Sequence, residues 1–212
     1  MNMPDRQVLS FHESLLRESD IDLLRGPHWL NDQIISFYFE YLEKVIYKDI
    51  EEFLFVSPEV TQCLKIVSRN EASIFLSPLK ATQRDLIFFA LNDNENTSAG
   101  GSHWSLLVLS RPENTFFHFD SSSGSNLSSS RVFFSRLREP LGCPDADLQQ
   151  HKCLQQSNGY DCGIHLICVT DQVAEYARRT DRVSGTPSIS YQQVSRKRRE
   201  ILEIILELGG AI

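Results

Sequence analysis

The sequence predicts an α+β fold, a central mixed sheet flanked by helices, on three observations. Apolar residues recur at helical spacing from about residue 34 to 46. Three near-continuous apolar runs between 85 and 119 read as buried strands. Two segments after residue 162 read as helices again. With 212 residues, 41% of them hydrophobic and 23% charged, the chain can bury a sizeable core. One domain over residues 1–212 is expected, two small lobes being the alternative.

In chain order, Trp29-Leu30-Asn31-Asp32 leads into Ile34, Ile35, Tyr38, Phe39, Leu42, Val45 and Ile46, a helix with one broad apolar face that Asn31 or Asp32 can cap. A short strand at 53–56 is followed by Ser57-Pro58-Glu59, an N-cap with proline at the first helical position, and a helix to about residue 67. Residues 85–91 (DLIFFAL), 102–109 (SHWSLLVL) and 115–119 (TFFHF) form the sheet. Their lack of apolar/polar alternation fits central strands covered on both faces. The polar, glycine-ended segment 92–101 reads as a mobile loop and Arg111-Pro112-Glu113-Asn114 as a turn. The serine-rich segment 121–130 reads as a surface spacer without chemistry. A helix over 132–138, a strand over 148–154 and helices over about 162–178 and 191–208 complete the chain. Arg196-Lys197-Arg198-Arg199 fits a solvated helix face better than a nuclear-import signal.

No apolar run reaches the roughly 18 residues of a membrane helix, and residues 1–16 lack a signal-peptide pattern. A cytosolic or nuclear protein without a membrane partner is expected. The formal charge of −7 argues against nucleic acid and suits a partner with a cationic tail. The five cysteines show no CxxC pair, so neither a disulfide framework nor a metal site is indicated. His165 with Cys168, and nearby His151 with Cys153, lack zinc-ligand spacing.

His103, Asp120 and Cys162 carry the candidate chemistry. Cysteine attacks as its thiolate, so the site must favour that form and supply a proton shuttle; histidine shuttles, and an acid fixes its tautomer. If Pro112-Glu113 centre the turn, paired strand residues place Ser105 opposite Asp120. His103, two residues from Ser105, then shares its face, within diagonal reach of Asp120. A one-residue slip would part the two. Cys162 follows a polar stretch and opens an apolar helix, whose N-terminal partial charge favours a thiolate. Gly163 leaves room for a substrate backbone beside the sulfur. The helix N–H groups, with the Gln156 amide, can hold an oxyanion. Taken singly, each residue is as easily structural, a buried thiol, a rim histidine or a strand-end aspartate; His118, between two phenylalanines, is read as structural.

Gly-Gly-Ser-His-Trp-Ser-Leu-Leu at 100–107, Phe-His-Phe-Asp-Ser at 117–121 and Gln-Gln-Ser-Asn-Gly-Tyr-Asp-Cys-Gly at 155–163 together resemble the Ulp/sentrin-specific cysteine protease family. The likeness is greatest to its deneddylase branch, through Val8-Leu9-Ser10-Phe11, the Trp29-Leu30-Asn31-Asp32 stretch, residues 56–62 and residues 92–105. The resemblance implies a papain-like fold with the cysteine on a helix and the histidine and aspartate on the sheet. It implies His103 as base, Asp120 as its orienting acid, Cys162 as nucleophile and Gln156 in the oxyanion hole, with no metal or cofactor. It implies that Trp29 and Trp104 roof a channel for a modifier's Gly-Gly tail, that Asp32 pairs with a tail arginine or simply caps its helix, and that the loop from Asn92 closes over bound modifier. The expected partner is a Nedd-type ubiquitin-like modifier and its conjugates, such as cullins, acted on by a monomer. The rival readings are a SUMO- or ubiquitin-specific protease of the same fold, an acyltransferase with the same residue order, and a modifier-binding module without activity.

Overall fold

The computed structural model describes residues 5–96 and 100–212. Two short strands, β1 (Gln7–Phe11) and β2 (Ser14–Arg17), form an antiparallel hairpin, followed by α1 (Glu18–Arg25) and α2 (Asp32–Tyr41), which runs into a π-helical turn. A five-stranded sheet then builds in chain order: β3 (Phe53–Val56), β4 (Leu86–Asn92), β5 (Trp104–Ser110), β6 (Thr115–Phe119) and β7 (Asp147–His151). The outer pairs β3–β4 and β6–β7 are parallel and the inner pairs antiparallel, so the sheet is mixed. Helices α3 (Pro58–Ile66), α4 (Arg69–Leu76) and α5 (Leu127–Leu137) precede or follow individual strands, and α6 (Cys162–Thr180) and α7 (Tyr191–Glu207) close the chain.

The non-alternating strands are explained by a core on each side of the sheet. Phe55, Phe88, Ala90, Leu106, Val108, Phe117 and Phe119 face α2, α6 and α7. Leu54, Val56, Ile87, Phe89, Leu91, Leu107, Leu109 and Phe116 face Leu64 of α3, Leu76 of α4, and Phe133 and Leu137 of α5. Residues of β3 to β6 are thus nearly all buried whichever way they point, while the edge strand β7 stays largely exposed. Leu106 pairs with Phe119 and Ser110 with Thr115, the register that the turn at Pro112-Glu113 predicts. It brings the start of β5 and the end of β6 together at one end of the sheet's central strands.

Three features depart from the sequence reading. Residues 7–17, to which the sequence reading gives no element, form the β1–β2 hairpin, which turns at His12 (φ 46°) without the glycine or asparagine that marks such turns. The serine-rich segment is not a spacer: α5 already begins at Leu127, and Asn126, Ser129 and Ser130 are buried. The basic run is not a uniformly solvated face. Lys197 turns inward to Asp171 (2.9 Å), which also accepts the Tyr38 hydroxyl, and Arg198 is largely buried, while Arg199 is exposed.

Candidate active site

Cys162, His103 and Asp120 come from three elements that meet at one end of the sheet's central strands. His103 immediately precedes β5 and Asp120 immediately follows β6. His103 Nε2 lies 2.6 Å from Asp120 Oδ1, both side chains being buried. Cys162 is the first residue of α6 and lines the same cleft as His103, whose protonation its thiol influences. With Nε2 committed to Asp120, Nδ1 is the ring nitrogen left to exchange a proton with sulfur. Burial acts to lower the His103 pKa, but hydrogen bonds to Asp120 and Cys162 and the charges of both override it and raise the pKa to about 9. Burial likewise pushes Asp120 up, yet the bonds it accepts hold it below the ordinary carboxylate range.

Those bonds reveal residues that sequence reasoning missed. The Ser122 N–H donates to Asp120 Oδ1 (2.9 Å), a local turn of the kind aspartate forms two residues on, and the Asn126 N–H donates to Oδ2 (2.9 Å). The Asn126 amide reaches Ser105 Oγ (2.9 Å) and the carbonyl oxygens of Leu91 and His103, tying the carboxylate to β4 and β5. Ser105 also meets Nε2 of His118 (2.9 Å), whose Nδ1 faces Gln150; burial keeps that ring's pKa low, which suits a structural role. From the other side, Asp93 accepts the backbone N–H groups of Ser102 and His103 and so fixes the strand entry that carries His103.

Cys162 is 2% exposed, yet it lines a cleft of about 430 Å³ walled by Trp29, Leu30, Asp32, Asn92 and Trp104. A thiol so enclosed favours approach by a slender chain. Trp29 is 49% exposed and its indole N–H donates to the Gly159 carbonyl, whereas Trp104 is partly buried and donates to Leu30 O (3.0 Å). The two indoles thus tie the Trp29–Leu30 segment to the loop before Cys162 and to the start of β5. Asn31, not Asp32, caps α2 by accepting the Ile34 N–H (3.1 Å); Asp32 is left exposed on the cleft wall. The Asn92 side chain folds under its own loop, accepting the Asn94 N–H (2.8 Å). That loop is tethered at its start: Lys65 donates to the carbonyl oxygens of Asn92 and Asn94, and Gln62 to those of Asn94 and Asn96. Of the loop expected to be mobile, residues 97–99 lie outside the described residues.

Before Cys162, Gln156 donates one amide hydrogen to Asn158 O (2.7 Å) and accepts from Ser121 Oγ (2.8 Å), which leaves it a second amide hydrogen. Among the described residues no side chain caps α6, so its first N–H groups remain open to an anion. All five cysteines are free, and among the described residues no three His, Cys, Asp or Glu side chains are placed to hold a metal.

Gly163 does not leave space for substrate, as its position beside the sulfur suggests. A Cβ there would stand 2.9 Å from Leu30 Cβ, so the glycine makes room for the cleft wall itself. Gly163→Ala is expected to push the Trp29–Leu30 segment outward, lowering kcat/KM by about 10–100-fold through misplacement of reacting groups. The overpacking should also cost about 1–3 kcal/mol, read as a lower Tm in a thermal melt.

This geometry has known counterparts. Residues 28–210 match the Ulp1 protease family, C-terminal catalytic domain. The chain is 40% identical over 209 residues to sentrin-specific protease 8 of Rattus norvegicus, covering 97% of this chain and 96% of the relative. It is 34% identical over 178 residues to NEDD8-specific protease 1 of Arabidopsis thaliana, covering 81% and 77%. Among solved structures, the C-terminal Ulp1 protease domain in complex with Smt3, the yeast ortholog of SUMO, shares the fold with a TM-score of 0.73 over 98% of this chain and 90% of that one, at 24% identity. With a family match that spans most of its length and a relative this similar end to end, the chain belongs to the Ulp1 protease family and is a cysteine protease.

Proposed function

We propose that this protease is a deneddylase: it hydrolyses the peptide or isopeptide bond after the C-terminal Gly-Gly of a NEDD8-type modifier. The observation that carries the reading is the His103–Asp120 pair beside a thiol enclosed at the floor of a cleft between two tryptophans. Only glycine lacks a side chain, so a diglycine tail is the segment that such a cleft admits. The choice of modifier rests on the similarity to NEDD8-specific and sentrin-specific 8 proteases. Asp32, on the cleft wall, is the proposed partner of a cationic residue in the tail, and the segment from Asn92 is the part that adjusts to bound modifier.

In the proposed reaction His103 takes the Cys162 proton and sulfur attacks the carbonyl carbon of the terminal glycine. The Cys162 N–H and the second Gln156 amide hydrogen hold the oxyanion. The C–N bond breaks as His103 protonates the leaving amine, and a thioester remains. His103 then takes a proton from water, whose oxygen displaces sulfur to release the modifier's carboxylate and restore the thiol. Precursor maturation and deconjugation, from cullins among other targets, would both use this chemistry, by a monomer in cytosol and nucleus.

The test is a panel of fluorogenic substrates carrying NEDD8, SUMO or ubiquitin at the C-terminal glycine. The expected outcome is strong preference for NEDD8. Equal or faster turnover of SUMO would reject the modifier assignment, and failure of an electrophilic NEDD8 probe to label Cys162 would reject the catalytic one.

A further inference from the structure

Arg198 sits on α7, outside the cleft, yet its guanidinium joins the two segments that flank the nucleophile. Its Nη2 donates to Asp161 Oδ1 (2.7 Å), the residue before Cys162, and to the His28 carbonyl (2.7 Å), the residue before Trp29. Nε gives a longer bond to the same Asp161 oxygen (3.3 Å), Nη1 reaches the Leu23 carbonyl at the end of α1 (2.6 Å), and the plane lies over the Tyr160 ring. Arg198 and Asp161 side chains are each 17% exposed.

The contacts continue toward the sulfur. Asp161 does not cap its own helix; its second oxygen accepts the Asn158 amide (2.7 Å). Asn158 Oδ1 accepts the Tyr160 and Asp161 N–H groups, and its carbonyl accepts the Gln156 amide. On the other side, the Trp29 indole closes the circuit by donating to Gly159. One guanidinium therefore sets both the loop that presents Gln156 and Cys162 and the segment that presents Trp29.

From this we infer that Arg198 is a positioning residue for the reaction: it registers the Trp29 wall of the cleft against the start of the nucleophile's helix. The inference rests on the roles proposed above for Cys162 and Trp29. Lysine cannot replace it, because a single ammonium lacks the planar fork that meets a carboxylate and two carbonyls on different segments at once.

The experiment compares Arg198→Ala, Arg198→Lys and Arg199→Ala in the full chain, Arg199 being its exposed neighbour, which pairs with Glu203 one turn on. Kinetics use the NEDD8 fluorogenic substrate, with active sites counted by an electrophilic NEDD8 probe. The two tryptophans are labelled with 5-fluorotryptophan and assigned by loss of one 19F signal in Trp104→Phe. Arg198→Ala is expected to lower kcat/KM by about 100-fold, with a raised KM, and Arg198→Lys by about tenfold. In both, the Trp29 resonance shifts or broadens while that of Trp104 stays; Arg199→Ala behaves as wild type. A merely structural arginine would lower the number of active sites and the Tm but leave KM and the Trp29 signal unchanged. A wild-type KM or a wild-type Trp29 signal in Arg198→Lys, the variant that keeps the charge opposite Asp161, overturns the inference. Absence of turnover by the wild-type chain would sink the deneddylase reading and this inference with it.

Discussion

A Cys162→Ala variant should bind a diglycine-tailed modifier with wild-type affinity and hydrolyse none of it. The substitution removes one sulfur from a side chain that is 2% exposed and leaves the cleft walls, the α6 N–H groups and the Gln156 amide in place. Without sulfur there is no thioester, and His103 has no nucleophile within reach of the glycine carbonyl. Where nucleophile and base act as a unit, losing either costs about a million-fold. Stability should change little, since a buried thiol packs as a small apolar group. Turnover is read with the NEDD8 fluorogenic substrate and affinity by calorimetry with the intact modifier. Residual turnover within 100-fold of wild type would show that another residue attacks. Loss of binding together with turnover would mean that the sulfur shapes the cleft instead of reacting.

The sheet and the chain order of the candidate residues were legible because they depend on local pattern. Buried stretches such as 86–91 carry apolar residues at every position, and a proline-containing turn fixes the register of β5 against β6. That register alone carries His103 toward Asp120. What stayed hidden depends on contacts between segments far apart in sequence. A run of small polar residues after Asp120 reads as a spacer, since nothing local says that Asn126 will lie between β4, β5 and the carboxylate. Arg198 reads as one of four basic residues until α7 is docked against α1 and the start of α6. Gly163 suggests an open space that Leu30, 133 positions earlier, in fact fills. Helix α4 is a different case: Ser68 and Glu71 form a capping box whose spacing could have announced it.

An Asp120→Asn variant separates positioning from charge. Asp120 accepts three hydrogen bonds, from His103 and Ser122 at Oδ1 and from Asn126 at Oδ2. Asparagine keeps the shape but turns one oxygen into an NH2 group, which must face a donor. Either the Asn126 N–H loses its acceptor or His103 and Ser122 lose theirs. The kcat/KM should fall by about 10²–10⁴-fold, the range of a mispositioned general acid–base. The pH profile should move as well. In the proposed reaction His103 must hold a proton to give to the leaving amine, so wild-type kcat/KM is expected to decline as pH rises through the raised value of about 9. Removing the carboxylate deletes two of the influences that raise it and leaves burial, which lowers it, so the descending limb shifts to lower pH. Stability follows the same sign. A raised histidine pKa adds stability that is complete below the unfolded value of 6.5 and disappears as pH climbs through 9. Between those limits the wild-type Tm should fall more steeply than that of the variant. A descending limb that stays near 9 in Asp120→Asn would mean that His103 draws its proton affinity from the sulfur alone.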